Sequence, residues 1–334
     1  MLFYFKDRKT FITKAVCEGI NYKLVESVWT DLSEITCTNN DAVQGDEFVF
    51  TDGGWIALMT SVEHSEGSMT IKAEKVERLV RRDICFIGFG TYWPCEQTAM
   101  YYLQRNFIQG SDPMYNIPYL TRTRETLEAG ACLPRAERGV FNLQSYFALI
   151  RRLQNVFVYF DVEEDILHVR IRHENRPMKT LITTNVPCEI VEESFGGDNV
   201  AKVSTYVYSG GEMGWLGEDE LTHWYLFKDG SVSNDENAGE RVEGDWKLLA
   251  IEQADNPEIM AKNQFKQNSY THKVIVRVPD DKAIYNFYDP VRVEVNNHVY
   301  MSYVSRKTRT SEGYTEYTFG DLKTSLMDKI NEEE

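Results

Sequence analysis

The sequence has little of what catalytic and metal-binding sites are usually built from. Its 334 residues include six cysteines and six histidines, and no two cysteines form a Cys-x-x-Cys pair. A zinc site needs such ligands at close spacing. Also missing are a Gly-x-Ser-x-Gly elbow, a P-loop, a His-Glu-x-x-His pair and a dinucleotide-binding glycine motif. We therefore predict no catalytic residue, no cofactor and no metal ligand.

Long apolar runs are missing as well. No stretch approaches the roughly 20 apolar residues that span a bilayer. The apolar start Met1–Phe5 is too short for a signal peptide and has no basic flank. The six scattered cysteines favour reduced, buried thiols over a disulfide framework. These absences predict a protein made in the cytosol without a membrane-spanning segment.

Positive charge is scarce. Lysine and arginine number 36 against 52 aspartates and glutamates, which gives a formal net charge of −16. Affinity for nucleic acid comes mostly from cations on phosphates, so this balance argues against a general nucleic-acid binder. An acidic channel would let DNA pass without holding it. Solubility alone is the simpler explanation of the charge.

The clearest positive feature is a β-meander between Gly45 and Asp83. Strands are predicted over Glu47–Thr51, Trp55–Glu63 and Met69–Ala73, with turns at Asp52-Gly53 and Ser65-Glu66-Gly67. Apolar residues at helical spacing then predict a short basic helix from Val76.

The same order recurs between Asp289 and Ile330. Strands are predicted over Val291–Val295, Val299–Lys307 and Tyr314–Phe319, and a closing helix over Leu322–Ile330. The second turn, Ser311-Glu312-Gly313, repeats the sequence of the first. Internal repeats indicate duplicated modules, although any two meanders share some features.

The middle of the chain predicts different elements. Helices are expected over Glu96–Phe107, over Leu143–Gln154 with Asn142 as the N-cap, and over Pro257–Asn268. The second helix leads into a hairpin, Val156–Asp161 with Ile166–Arg172, and Leu181–Val186 is a possible extension of this α+β segment. Tyr22–Thr36 is interpreted as mainly strand, with a short helix over Val25–Leu32 as the alternative.

Candidate reactive residues each have a simpler structural explanation. His168 and His173 lie near a hairpin end on opposite parities, which is typical of solvated side chains. The acids Asp161 and Glu163-Glu164-Asp165 crowd one turn instead of facing each other across a cleft. Asp229-x-Ser231 lacks the spacing of a calcium loop. Three cysteines have no evident histidine partner: Cys17, Cys37 and Cys132.

These elements predict an α+β, mainly β fold with two similar β-barrel-like modules and an inserted α+β domain. The expected division is a first barrel-like module over residues 1–85, a helix–hairpin domain over 86–190, a strand-rich connecting segment over 191–245 and a second module over 246–334.

The order of parts resembles the hub, or tail-tip, proteins of bacteriophage tails and contractile injection systems. The resemblance is carried by the two meanders, the basic stretch Glu77–Asp83 and the helix–hairpin unit Leu143–Arg172. It implies a structural protein, not an enzyme, that forms a homotrimeric ring in the virion tail after assembly in the bacterial cytoplasm. Six near-equivalent modules would meet a sixfold tail tube or distal tail protein above and a threefold spike, fibre or tail-lysin protein below. DNA would pass through the ring during genome ejection without specific binding.

Two other functions fit the sequence. One is a cell-wall or polysaccharide hydrolase whose acids are hidden among the many carboxylates. The other is a carbohydrate- or peptide-binding β protein that uses Trp215, Trp224 and Tyr225 as exposed aromatic side chains.

Overall fold

The computed structural model describes residues 1–322 except 30, 87–93, 126–138, 196–198, 209–220, 253–255, 267, 269–270 and 297. These residues are mostly strand, with three α-helices, so the α+β, mainly β prediction is confirmed. The chain divides into two compact units. The first contains Met1–Asn175 with Arg309–Ser311, and the second contains the other residues from Arg176 onward.

The first unit begins with a closed barrel of six antiparallel strands. They follow the order β1-β4-β5-β6-β3-β2, and β2 pairs back on β1 to close the ring. Alternate side chains such as Phe5, Ile35 and Ile71 fill the interior. The helix considered over Val25–Leu32 does not form. The barrel strands are β1 (Leu2–Asp7), β2 (Thr13–Ser27), β3 (Ser33–Thr38), β4 (Glu47–Phe50), β5 (Ile56–Ser65) and β6 (Ser68–Lys75).

The rest of the first unit is an α+β layer. A 3₁₀ turn at Val76–Val80 leaves the barrel, as the helical spacing predicts. Helix α2 begins where expected, because the Asn142 side chain accepts a hydrogen bond from the Gln144 amide at 2.9 Å. The elements are β7 (Asp83–Phe86), α1 (Cys95–Leu103), a π-turn (Gln104–Ile108), β8 (Leu120–Arg124), β9 (Gly139–Asn142), α2 (Leu143–Gln154), β10 (Val156–Glu163) and β11 (Ile166–His173).

Helices α1 and α2 share one hydrophobic core with the sheet β10-β11-β8 and with the outside of the barrel. At the junction the Phe11 and Tyr119 rings stack with centroids 4.7 Å apart, and Phe48 packs edge-on against both. The predicted hairpin is therefore part of a layer that packs on the barrel wall.

The second unit holds two sheets. One has the order β12-β19-β20-β21-β18-β13, and the other has the order β16-β15-β14-β17 with helix α3 against it. The elements are β12 (Lys179–Ile182), β13 (Glu189–Phe195), β14 (Val200–Tyr208), β15 (Thr222–Leu226), β16 (Val232–Ser233), β17 (Asp245–Glu252), α3 (Pro257–Lys266), β18 (His272–Pro279), β19 (Pro290–Val295), β20 (His298–Thr310) and β21 (Tyr314–Phe319).

The segment Leu181–Val186 is not an extension of the helix–hairpin domain, so that prediction is wrong. Its first residues belong to the strand Lys179–Ile182, which pairs with β19. The helix predicted over Leu322–Ile330 falls almost entirely beyond the described residues, which end at 322. The division into four domains stays a prediction.

Candidate functional site

The feature that stands out is a strand order that occurs twice. In the first barrel the order is β1-β4-β5-β6-β3-β2. Replacing these strands, in chain order, by β12, β13, β18, β19, β20 and β21 gives β12-β19-β20-β21-β18-β13, which is the order in the second unit. We call the two sets the first and second modules. One chain thus contains the same arrangement of six strands in two copies.

The Ser-Glu-Gly turns hold equivalent positions in the two modules. The first joins β5 to β6 and the second joins β20 to β21. Gly67 and Gly313 have φ angles of +81° and +82°, in the left-handed region that favours glycine. The Gly67 carbonyl accepts a hydrogen bond from Asn39, and that of Gly313 accepts one from Asp280; in each case the donor immediately follows the neighbouring strand.

The pairing register beside these turns is also the same. The last residue of β3, Thr38, lies opposite Ser68, the first residue after the turn. In the second module Pro279, the last residue of β18, lies opposite Tyr314. Both ladders then run for six residues without a shift. Because a one-residue slip would turn every side chain to the other face, the shared register gives both modules the same inward-facing positions.

A buried carboxylate lies at the head of the fourth strand of each module. Glu47 begins β4, is 1% exposed, and accepts hydrogen bonds from the Gln44 amide at 3.2 Å and the Lys14 ammonium at 2.9 Å. The contact with Glu47, together with a second one to Asp7, raises the pKa of Lys14.

Asp289 is its counterpart and directly precedes β19. It is 3% exposed and accepts from the Asn286 amide at 2.7 Å, from Lys179 at 2.6 Å and from Arg176 at 3.0 Å. In both modules the carboxylate accepts a hydrogen bond from the backbone amide three residues earlier in the sequence. It also binds a lysine: Lys14 from the first hairpin of the first module, and Lys179 from the first strand of the second. Each therefore fixes the loop that enters the fourth strand.

Exposed apolar side chains lie on the second strand of each module. On β2 these are Val16 and Ile20, and on β13 they are Ile190, Val191 and Phe195. Contiguous exposed apolar side chains commonly mark surfaces that meet another protein.

His168 and His173, the two histidines near the hairpin end, do not form a site together. The Thr123 hydroxyl lies 2.7 Å from His168 Nε2, and Glu163 lies 3.7 Å from His168 Nδ1. His173 is on the same strand, opposite Val156 at its far end. In the described part of the chain, no group of three or more histidine, cysteine or acidic side chains could hold a metal ion.

The acidic turn is neutralised by cations. Arg170 forms ion pairs with Asp161 at 2.9 Å, with Glu125 at 3.3 Å and with Glu163. Asp165 pairs with the buried ammonium of Lys6 at 3.0 Å. These acids are not arranged as a pair facing across a cleft.

Asp229 closes its own turn. Its side chain accepts hydrogen bonds from the Ser231 amide at 2.9 Å and from the Ser231 hydroxyl at 2.6 Å. These bonds hold the pKa of Asp229 below its usual value. The Asp229-x-Ser231 motif is therefore an Asx-type turn, which is a structural role.

The thiols of Cys17 and Cys37 are buried. Burial raises the pKa of Cys37 to about 12 and also raises that of Cys17. Since the thiolate is the nucleophile, both are unreactive at neutral pH. Cys132 lies outside the described residues.

One polar network joins Trp246, Ser204 and His223. The Trp246 indole N–H donates to Ser204 Oγ at 2.7 Å, and Ser204 Oγ lies 2.6 Å from His223 Nδ1. Ser204 is fully buried, so it is not available as a nucleophile. The three residues come from separate strands, so no spacing in the sequence signals the contact.

The aromatic residues expected at the surface are arranged differently. Trp224 is half-buried and donates to Thr205 at 3.1 Å, and Tyr225 is buried. Trp215 lies outside the described residues. The exposed tryptophan of this region is Trp246. In the described part of the chain, no helix is both long and apolar enough to cross a membrane.

Comparison with solved structures identifies the fold. A protein of the p2 virion baseplate in its activated conformation gives a TM-score of 0.51 at 13% identity, covering 97% of this chain and 99% of that one. A prophage tail protein from Listeria monocytogenes EGD-e gives 0.52 at 11% identity, with 99% and 97% covered. The 43 kDa tail protein of prophage MuSo2 from Shewanella oneidensis gives 0.50 at 11%, with 96% and 98% covered.

The chain therefore has the fold of bacteriophage baseplate and tail proteins, and the predicted resemblance is confirmed at the level of the fold. These three solved structures are described as tail or baseplate proteins, not as enzymes. The sequence matches no protein-family model and no curated protein.

Proposed function

We propose that the protein is a structural hub of a phage tail tip or baseplate, located in the virion tail and without catalytic activity. The observation that carries this proposal is the repeated module. One chain contains two six-stranded sheets with the same strand order and the same register beside identical turns. The fold shared with phage baseplate and tail proteins along almost the whole chain supports the same function.

The repeated module has a geometric use. Three copies of a chain with two similar modules present six similar positions around a threefold axis. Such a homotrimeric ring adapts a sixfold tail tube or distal tail protein to a threefold spike, fibre or tail-lysin protein. Closed cyclic assemblies of identical subunits are common. In this arrangement residues 1–85 and the second module, with β12 and β13, supply the ring. The part of the predicted 86–190 domain that belongs to the first unit, residues 86–175, forms an outer domain.

The acidic composition fits the passage of DNA through this ring during genome ejection. A net charge of −16 disfavours lasting contacts with phosphates. DNA would then move through the channel without specific binding.

The mass in solution tests the proposal directly. Light scattering of the purified chain is expected to give three times the 38.7 kDa subunit mass. Class averages from electron micrographs are expected to show a ring with threefold symmetry and six similar densities. A monomer that hydrolyses cell-wall material would overturn the hub and favour the hydrolase alternative.

A further inference from the structure

Helix α3 packs on one face of the sheet β16-β15-β14-β17, where Ala261 and Phe265 meet Val203 and Leu226. On the opposite face Trp246 and Leu248 are exposed, whereas Ser204 and Tyr225 are buried. Cross-strand neighbours form two adjacent rows on this opposite face. One row contains Tyr225, Lys202 and Trp246, and the other contains His223, Ser204 and Leu248.

The Trp246 side chain on this face is exposed, at 56% of its surface. Its indole N–H reaches Ser204, which lies in the next row, opposite Leu248. The indole must therefore extend across strand β14. A hydrogen bond to a fully buried hydroxyl fixes this orientation, so a large aromatic surface is held in place while facing solvent.

Ser204 also contacts His223. The indole N–H can only donate, so the serine hydroxyl accepts from Trp246 and keeps its own proton free to donate to His223 Nδ1, which lies 2.6 Å away. In the imidazole tautomer that accepts this proton, the ring proton is on Nε2. His223 Nε2 has no hydrogen-bond partner among the described residues.

Lys202 supplies a second donor beside the indole. Its ammonium lies 5.3 Å from the Trp246 ring centroid and 5.8 Å from the Tyr225 ring centroid. Within the described residues it forms no ion pair. The cation is held by aromatic rings and keeps its N–H donors for a ligand.

We propose that this face binds a saccharide, with a sugar ring stacked on the Trp246 indole and its hydroxyl groups accepting hydrogen bonds from His223 Nε2–H and Lys202 Nζ. The apolar face of a sugar ring is matched by a flat indole, and its hydroxyls are matched by fixed donors at the edge. A pre-organised site loses little freedom when the ligand binds.

The size of the patch favours a saccharide over a protein. Trp246 and Leu248 are each just over half exposed, which corresponds to roughly 250 Å² together. A stable protein interface buries about 800 Å² on each partner. The patch suffices for one or two sugar rings. This site is independent of whether the chain forms a ring.

The test uses the full chain and three soluble tetrasaccharides, built from N-acetylglucosamine, glucose or galactose. Each is titrated to about 10 mM, in the range expected for weak single-site binding, and followed by tryptophan fluorescence and saturation-transfer NMR. At least one is expected to bind saturably. Trp246→Ala is expected to weaken that binding at least tenfold, and His223→Gln severalfold, with unchanged circular dichroism.

Tyr115→Ala is the matched control, because Tyr115 is an aromatic residue with 57% of its surface exposed and lies outside this sheet. It should bind the tetrasaccharide as the wild type does. Absence of saturable binding by all three probes would overturn the proposal, as would equal binding by wild type and Trp246→Ala. A change in oligomeric mass for Trp246→Ala alone would also overturn it, since the face would then be a subunit contact.

Discussion

The two modules differ most in their first strand. In the first module β1 is antiparallel to β4 and to β2, which closes the barrel. In the second module β12 is parallel to β19, and no pairing of β12 with β13 is present among the described residues. When the other five strands of the two modules are matched, β12 runs in the direction opposite to that of β1. Two strands joined by a hairpin must be antiparallel, so this reversal removes the hairpin that closes the first barrel.

The difference shows which part of the module sets its geometry. The strand order and the register beside the Ser-Glu-Gly turn are the same with and without closure. Closure by the first strand is therefore not required for the shared strand order and register. Among the described residues β13 pairs only with β18, and it has three exposed apolar side chains.

The largest expected effect comes from removing the buried carboxylates one at a time. Glu47→Ala and Asp289→Ala should each lower the free energy of unfolding by about 2 to 3 kcal/mol, because a lysine and a backbone amide lose their buried carboxylate partner. Partial exposure of the lysines limits the effect. Hydrogen exchange measured by mass spectrometry shows which module has lost stability.

Each substitution should increase exchange mainly in its own module. A variant that leaves exchange unchanged in its own module would show that the carboxylates are not equivalent supports.

An intermediate effect is expected from pH, and only in the second module. Burial lowers the pKa of His272 to about 4, and Ser302 is its hydrogen-bond partner at 2.8 Å. The unfolded value is about 6.5, so the folded state resists protonation. Stability is complete above about pH 6.5 and falls towards pH 4, by up to about 1.4 kcal/mol per pH unit.

Urea unfolding between pH 7 and pH 5 measures this slope, and His272→Gln should reduce it. Peptides of the first module, whose His64 is exposed, should show no matching change in hydrogen exchange. The same pH dependence in wild type and variant would exclude His272 as its source.

The smallest expected effect tests the turns. Nothing lies within 4 Å of a Cβ built on Gly67 or Gly313, so alanine meets only backbone strain at positive φ. Gly67→Ala and Gly313→Ala should each cost about 1 kcal/mol by urea unfolding. Clearly unequal losses of unfolding free energy would show that the two turns are not equivalent.

Local patterns predicted much of this fold because they depend on neighbours in the sequence. Alternation located β6 and β21, and Asn142 marked the start of α2. Closure of the barrel could not be predicted, because it needs β1 to pair with β4, which is distant in the sequence and leaves no local signal. For the same reason β12 was assigned to the wrong neighbour.

In the candidate site, too, features set by neighbouring residues could be predicted and contacts between distant residues could not. The Ser-Glu-Gly turns were visible as identical tripeptides, and their equivalence in the fold could be expected. Glu47 and Asp289 differ in type, and each binds cations distant in sequence, so nothing marked them among 52 acidic residues. Lys202, Ser204 and Trp246 meet only through a parallel strand pair.

The buried thiols of Cys17 and Cys37 have a consequence for durability. Burial raises the pKa of both thiols, so they stay protonated at neutral pH, and the barrel interior gives oxidants little access to them. The first barrel should therefore remain chemically intact under oxidising conditions that modify exposed cysteines.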